Sequence, residues 1–210
     1  MPRPSTDLEA GRAQLLDVVE HMVQKRGAVS LTFADLAAEA GMSTANIYRF
    51  FTNKEALFEA VAERWFAPKI RIMEEVVGSD SPAADKLFQF FARRFRLMLA
   101  NYREDPALFA SYMTLGHEHE EIIRGYVDLG DHYLAIIVAE AMDEGYFDGL
   151  TIDRTVSLIN LMVLPFINPE QMMDLQHSVT EEKLEQIVDA ILLGLKGQAV
   201  AAPEKCLAAV

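Results

Sequence analysis

Residues 32–54 read TFADLAAEAGMSTANIYRFFTNK, and this window decides how the rest of the chain is understood. Thr32 is a good N-cap, and Asp35 places an acid in the first turn, where the helix dipole favours it. Leu36, Ala37 and Ala40 give this first helix a small, apolar inner face that a second helix can cross closely. Gly41 ends it where a positive φ costs little. Ser43 is placed to cap the next helix, whose Ile47 and Phe50 point back at the first. With Ile47 inward and each residue turned by about 100°, Ala45 and Arg49 point outward and Asn46 and Tyr48 lie on the flanks. The spacing predicts a helix-turn-helix whose second helix faces a major groove. An ordinary helical hairpin can share the apolar spacing. An Asn, a Tyr and an Arg on the outer side of one short helix add reach to base edges and phosphates.

The longer run LAAEAGMSTANIYRFFTNKEALFEAV resembles the DNA-binding region of the TetR family of bacterial transcriptional repressors. Gly41, Tyr48, Phe50, Phe51, Asn53, Lys54, Glu55, Ala56 and Leu57 stand where that family has its glycine turn, its Tyr with an aromatic pair, and a polar-Lys-acid-Ala-Leu helix start. The likeness is close over about the first 65 residues and beyond them rests on length and helical content. It implies that Tyr48 and Lys54 contact phosphate or base edges and that Thr44, Ala45 and Asn46 lie against the bases. Ala45 offers only a methyl group, so base discrimination falls on Thr44, Asn46, Tyr48 and Arg49. Thr32 and Ser43, at helix N-termini, complete the expected DNA-facing set.

The chain has 210 residues, of which 51% are hydrophobic, yet no apolar run is long enough to span a membrane. The beginning, MPRPSTDLEAGR, has no signal-like apolar core, and the single cysteine, Cys206, has no internal partner. A cytoplasmic protein is expected. The net charge of −13 is unusual for a DNA binder. Residues 1–54 contribute none of it, because six Lys or Arg balance six acids. Attraction to DNA therefore has to come from local geometry, helix N-termini and a dimer's doubled footprint, with the acidic remainder turned away. Charge permits the reading without supporting it.

Almost all of the chain reads as helix: an all-α fold with an N-terminal helix-turn-helix domain (1–66), a C-terminal ligand-binding and dimerisation domain (67–198) and a disordered tail (199–210). Leu15, Leu16, Val19, Met22 and Val23 mark a first helix that ends before Gly27. A helix from near Asn53 carries Pro68, which predicts a kink or break near Ala67. After residues 78–82, GSDSP, a long helix runs to about Arg103, and Asp105-Pro106 begins a shorter one. Further helices are expected over about 118–144, from Asp153 to Leu164 with Pro165 and Pro169 as stops, and from Thr180 to Gly197 with a capping-box-like acid.

Segment 153–166 is apolar on nearly every side and segment 180–196 has a broad apolar face, so one small domain can hardly cover both. Two copies of each make a four-helix seam across a two-fold axis, although internal core helices share this composition. The family likeness implies the homodimer.

Phe95, Met98, Tyr102, Phe109, Tyr112 and Tyr133 form an aromatic and Met-rich set that serves either as core or as the lining of a cavity for a hydrophobic or aromatic effector. Acidic surroundings would also suit a cationic one. His117 and His119 could hold a metal with an acid only in a turn, and a polar helix start explains them more simply. No catalytic spacing, phosphate loop or Cys pair is present, so neither an enzyme nor a cofactor is expected. The expected partners are a palindromic double-stranded DNA operator, a small-molecule effector and a second copy of the chain. The competing expectation is a helical protein-interaction module whose helix-turn-helix no longer binds DNA.

Overall fold

The computed structural model describes residues 5–26 and 31–195, and every regular element within them is helical. The expected tail over 199–210, with Cys206, lies outside the described residues. In chain order the helices are α1 (Ser5–Arg26), α2 (Phe33–Glu39), α3 (Thr44–Ile47), α4 (Lys54–Val77), α5 (Ala83–Glu104) and α6 (Pro106–Glu118). They continue with α7 (Glu120–Asp143), α8 (Ile152–Met162), α9 (Leu164–Ile167), α10 (Pro169–Asp174) and α11 (Glu181–Gly194).

Several boundaries follow directly from capping chemistry. Asp105 accepts a hydrogen bond from the Leu108 amide at 2.9 Å, and Pro106 occupies the first turn of α6, where its missing N–H costs nothing. Thr180 caps α11 through the Lys183 amide at 3.2 Å. The reciprocal acid of a capping box is absent there, because the third helical residue is Lys183 rather than an acid. The cap of α8 is Thr151, with Asp153 in its first turn.

The structure refines both proline expectations. Of the kink or break expected near Ala67, the break does not occur, since α4 runs unbroken through Pro68. The ring removes a single hydrogen bond, and buried anchors on both sides, Phe58 and Val61 before it and Met73 and Val76 after it, hold the helix across the gap. Pro165 and Pro169 do more than stop α8: each starts a short helix of its own, α9 and α10.

The chain packs as two compact units, each assembled from two stretches. The first comprises the described residues up to Arg71 with Leu97–Leu129. Its core joins Leu15, Val19 and Met22 of α1, Leu36 and Ala37 of α2, Ile47 of α3, Leu57 and Val61 of α4, and Tyr112 and Leu115 of α6. The second comprises Ile72–Arg96 and the described residues from Gly130 onward. Its core contains Phe90, Phe91 and Phe95 of α5, Leu134 and Ile137 of α7, Ile159 of α8, Phe166, Met172, and Leu184 and Val188 of α11.

Candidate nucleic-acid interface

The first helix of the motif is locked at its start by a complete capping box. The Thr32 hydroxyl oxygen accepts from the Asp35 amide at 3.1 Å, while the Asp35 carboxylate accepts from the Thr32 amide at 3.3 Å. At the other end Gly41 adopts φ 65°, and the Met42 amide donates back to the Ala37 carbonyl at 2.9 Å. The turn between the two helices is thus held by backbone hydrogen bonds around one left-handed glycine.

The second helix is a single turn, Thr44–Ile47, followed by turns in which Arg49 and Phe50 donate to Asn46 and Ile47. Ser43 occupies the cap position, but its side chain makes no capping bond; its carbonyl receives the Asn46 and Ile47 amides at 2.9 and 3.3 Å. Ile47 is 0% exposed and Tyr48 is 55% exposed, which orients the segment unambiguously. Thr32, Ser43, Thr44, Ala45, Arg49 and Lys54 are exposed as well, whereas Asn46 is half-buried. The Asn46 amide reaches Met42 Sδ at 3.6 Å, and its oxygen accepts a long contact from Arg49 Nη1 at 3.5 Å.

Two further contacts position this surface. Tyr48 meets Phe33 edge-on, with ring centroids 4.9 Å apart, so the ring is propped while more than half of the residue stays exposed. Lys54 Nζ lies 5.1 Å from the Phe58 ring centroid at the start of α4, whose first turn is capped by Asn53 accepting from the Ala56 amide at 2.8 Å. Sequence reasoning missed Gly11 of α1, which lets Phe50 approach bare backbone. The available signal was a lone glycine inside a helical pattern, which usually has a packing reason.

A polar brace ties α1 to α4 and α6 in the same unit. Arg64 contacts Asp17 at 2.6 Å and Glu20 at 3.2 Å, and the buried Tyr112 hydroxyl donates to Glu20 at 3.0 Å. Burial, followed by the charge of Glu20, pushes the Tyr112 phenol well above the usual tyrosine range.

The six side chains expected to line an effector cavity are divided between the units. Met98, Tyr102, Phe109 and Tyr112 belong to the first, where Tyr112 stacks on Trp65 at 4.1 Å and Phe109 meets Tyr102 edge-on at 5.6 Å. Phe95 and Tyr133 belong to the second, Phe95 packing edge-on against Phe166 at 5.3 Å and Tyr133 donating to Glu74 at 3.3 Å. His117 lies in the last turn of α6, and His119 is both its C-cap and the residue before α7. The His119 carbonyl accepts from the Ile122 and Ile123 amides at 3.0 and 3.3 Å and its ring lies 4.0 Å from that of Phe58, so the pair joins the end of one helix to the start of the next. Among the described residues no group of three or more His, Cys, Asp or Glu is placed to hold a metal, and no helix is long and apolar enough to cross a membrane.

Comparison with known proteins bears on both halves of the chain. A family model for bacterial regulatory proteins of the tetR family matches residues 15–61, and one for the tetracyclin repressor-like C-terminal domain matches residues 83–188. The fatty acid metabolism regulator protein of Bacillus subtilis is 24% identical over 183 residues, spanning 85% of this chain and 94% of its own length. Among solved structures, SmeT, the repressor of the Stenotrophomonas maltophilia multidrug efflux pump SmeDEF, aligns over 97% of this chain and 99% of its own at a TM-score of 0.68 and 18% identity. The regulator FadR from Bacillus subtilis, solved with stearoyl-CoA, aligns over 87% and 98% at a TM-score of 0.62 and 20% identity. At these identities the two structures speak for the fold alone.

Proposed function

Since the chain belongs to the TetR family of bacterial transcriptional regulators, we propose that it is a cytoplasmic repressor that binds a palindromic operator as a homodimer and releases it when a small molecule binds. The observation that carries this reading is the α2–α3 geometry: Ile47 fully buried beneath an exposed face of Thr44, Ala45, Tyr48 and Arg49. In this reading residues 1–66 contact DNA. Thr44, Asn46, Tyr48 and Arg49 discriminate bases, Ala45 offers a methyl contact, and Thr32, Ser43 and Lys54 serve phosphates. Residues 67–198 carry the regulatory and dimer functions, with segments 153–166 and 180–196 at the two-fold interface.

The effector is hydrophobic or aromatic and binds near Phe95, Met98, Tyr102, Phe109, Tyr112 and Tyr133. The name of the relative, a regulator of fatty acid metabolism, supports a hydrophobic effector here. Release follows from differential affinity: the effector shifts the balance only as far as it prefers the conformation that does not fit the operator.

The competing module that no longer binds DNA draws its support from the net charge of −13. Selection of operator fragments from genomic DNA, followed by footprinting and salt titration, separates the two. The repressor protects one symmetric site with a steep salt dependence, whereas the module enriches no sequence.

A further inference from the structure

Within the second unit, α4, α5, α7 and α8 surround one polar cluster: Arg94 beside Phe90, with Asp131 and Asn160 opposite. Several cations of the described residues have close carboxylate partners. Lys86 meets Glu140 at 2.8 Å, Arg96 meets Glu181 at 2.6 Å, and Arg64 meets Asp17 at 2.6 Å. Arg94 has no carboxylate at ion-pair distance among the described residues. Its guanidinium lies 4.8 Å from the centroid of the Phe90 ring and feels Asp131 only from farther away. Asp131 is itself engaged, accepting from the Asn160 amide at 2.8 Å.

A guanidinium withdrawn from water without a matched anion is unfavourable, and burial lowers Arg94 to about 10 despite the pull of Asp131. The residue as a whole nevertheless keeps partial exposure. No side-chain nitrogen or oxygen that is fully buried in the described structure lacks a hydrogen-bond partner, and Arg94 makes no such bond. Gly130 of α7, itself buried, packs beside it: a Cβ there would be in van der Waals contact with Arg94 Nη2 at 3.8 Å and Met73 Sδ at 4.0 Å.

We propose that Arg94 receives the acidic group of the effector, so that the effector is a hydrophobic organic anion rather than a neutral or cationic compound. A carboxylate or phosphate accepts two parallel N–H bonds from the guanidinium fork, and the apolar body of such a ligand lies against neighbouring apolar side chains. The inference rests on the reading of the chain as an effector-controlled DNA binder. It reverses the sign that the acidic composition alone would suggest for the ligand.

The test uses the full chain without DNA. Decanoate and 2-naphthoate are compared with decanol and 2-naphthol, with decylammonium as the cation, by melting temperature and calorimetry. At least one acid should bind about tenfold more tightly than its neutral counterpart, the margin expected of one charge-assisted contact. In Arg94→Met that preference should vanish, and the ligand-free variant should melt at or above the wild-type temperature, because an unmatched buried charge is gone. Arg94→Gln repeats the comparison with a polar side chain and decides the matter if the Met variant does not fold. The proposal is overturned if no acid is preferred, if the preference survives in both variants, or if both ligand-free variants melt far lower, which makes Arg94 a structural partner of Asp131. Operator binding measured separately on ligand-free wild type fails only if the regulator reading itself fails.

Discussion

The ring of Phe50 lies against the bare backbone of Gly11: a Cβ built on Gly11 would stand 2.4 Å from Phe50 Cε1 and 2.8 Å from Cζ. Glycine inside α1 sacrifices about 1 kcal/mol of helix propensity relative to alanine, so its presence marks a steric requirement. Phe50 follows Tyr48 and Arg49 directly, and its depth against α1 sets how the reading surface is presented. Gly11→Ala should therefore lower stability by about 1–3 kcal/mol despite the gain in propensity, through overpacking. Operator affinity should fall with it. Chemical denaturation gives the sign, and a more stable variant would show that Phe50 moves aside freely.

Tyr48 supplies the second prediction. Being 55% exposed, it can be removed with little cost beyond its edge contact with Phe33. Tyr48→Ala should weaken operator binding by about 1–3 kcal/mol. Tyr48→Phe, which keeps the ring, separates the hydroxyl's share. Lys54→Ala should instead weaken binding to all sequences alike and reduce the salt slope by about one unit. Equal operator affinities for wild type and Tyr48→Ala would remove the phenol from the contact surface.

What was legible in the sequence was local. The Thr32–Asp35 box, the left-handed Gly41 and the inward Ile47 depend on residues within one turn or one helix spacing, so periodicity and capping rules reach them. What was not legible joins distant residues. The first amide of α5, at Ala83, is satisfied by Glu144 at 2.9 Å from the far end of α7, and no local pattern announces that partner. The approach of Phe50 to Gly11 and the bidentate Arg96–Glu181 pair are likewise products of packing. The single turn of α3 is shorter than its apolar spacing suggests, because Phe50 and Phe51 are held by turn hydrogen bonds to Ile47 rather than by a continuing helix. The aromatic set from Phe95 to Tyr133 looked like one group in the sequence, yet its members contribute to two units.

The burial of Tyr112 beside Glu20 makes stability depend on alkaline pH. The Tyr112 phenol is raised above its unfolded value, by burial first and by Glu20 second. A raised tyrosine keeps its proton in the folded state while the unfolded chain begins to lose it near pH 10, so unfolding becomes easier as pH rises above about 10. Below that range the contribution is fully present. Tyr112→Phe should cost about 1–2 kcal/mol at neutral pH and flatten the alkaline fall. Urea titrations at pH 8 and above read both effects, and an unchanged alkaline slope in the variant would assign the pH dependence to other groups.

The dimer prediction rests on apolar side chains that a single protomer leaves in water. Leu161 is 66% exposed and Leu193 71% exposed, on α8 and α11 respectively, with Met162 also exposed. The same helices bury Val156, Ile159, Leu184 and Val188, so their inner faces already hold the fold without these residues. Leu161→Glu and Leu193→Glu should therefore leave each protomer folded and abolish association, which separates a dimer defect from a folding defect. Ile159→Glu, by contrast, should unfold the unit. Light scattering should give a dimer mass for wild type at about 10 μM and a monomer mass for the two surface variants, as expected for loss of the apolar centre of an obligate interface. The wild-type melting temperature should also rise with protein concentration, and that of the variants should not. A wild type that is monomeric at this concentration, with a melting temperature independent of dilution, would refute the two-fold seam and with it the doubled operator contact.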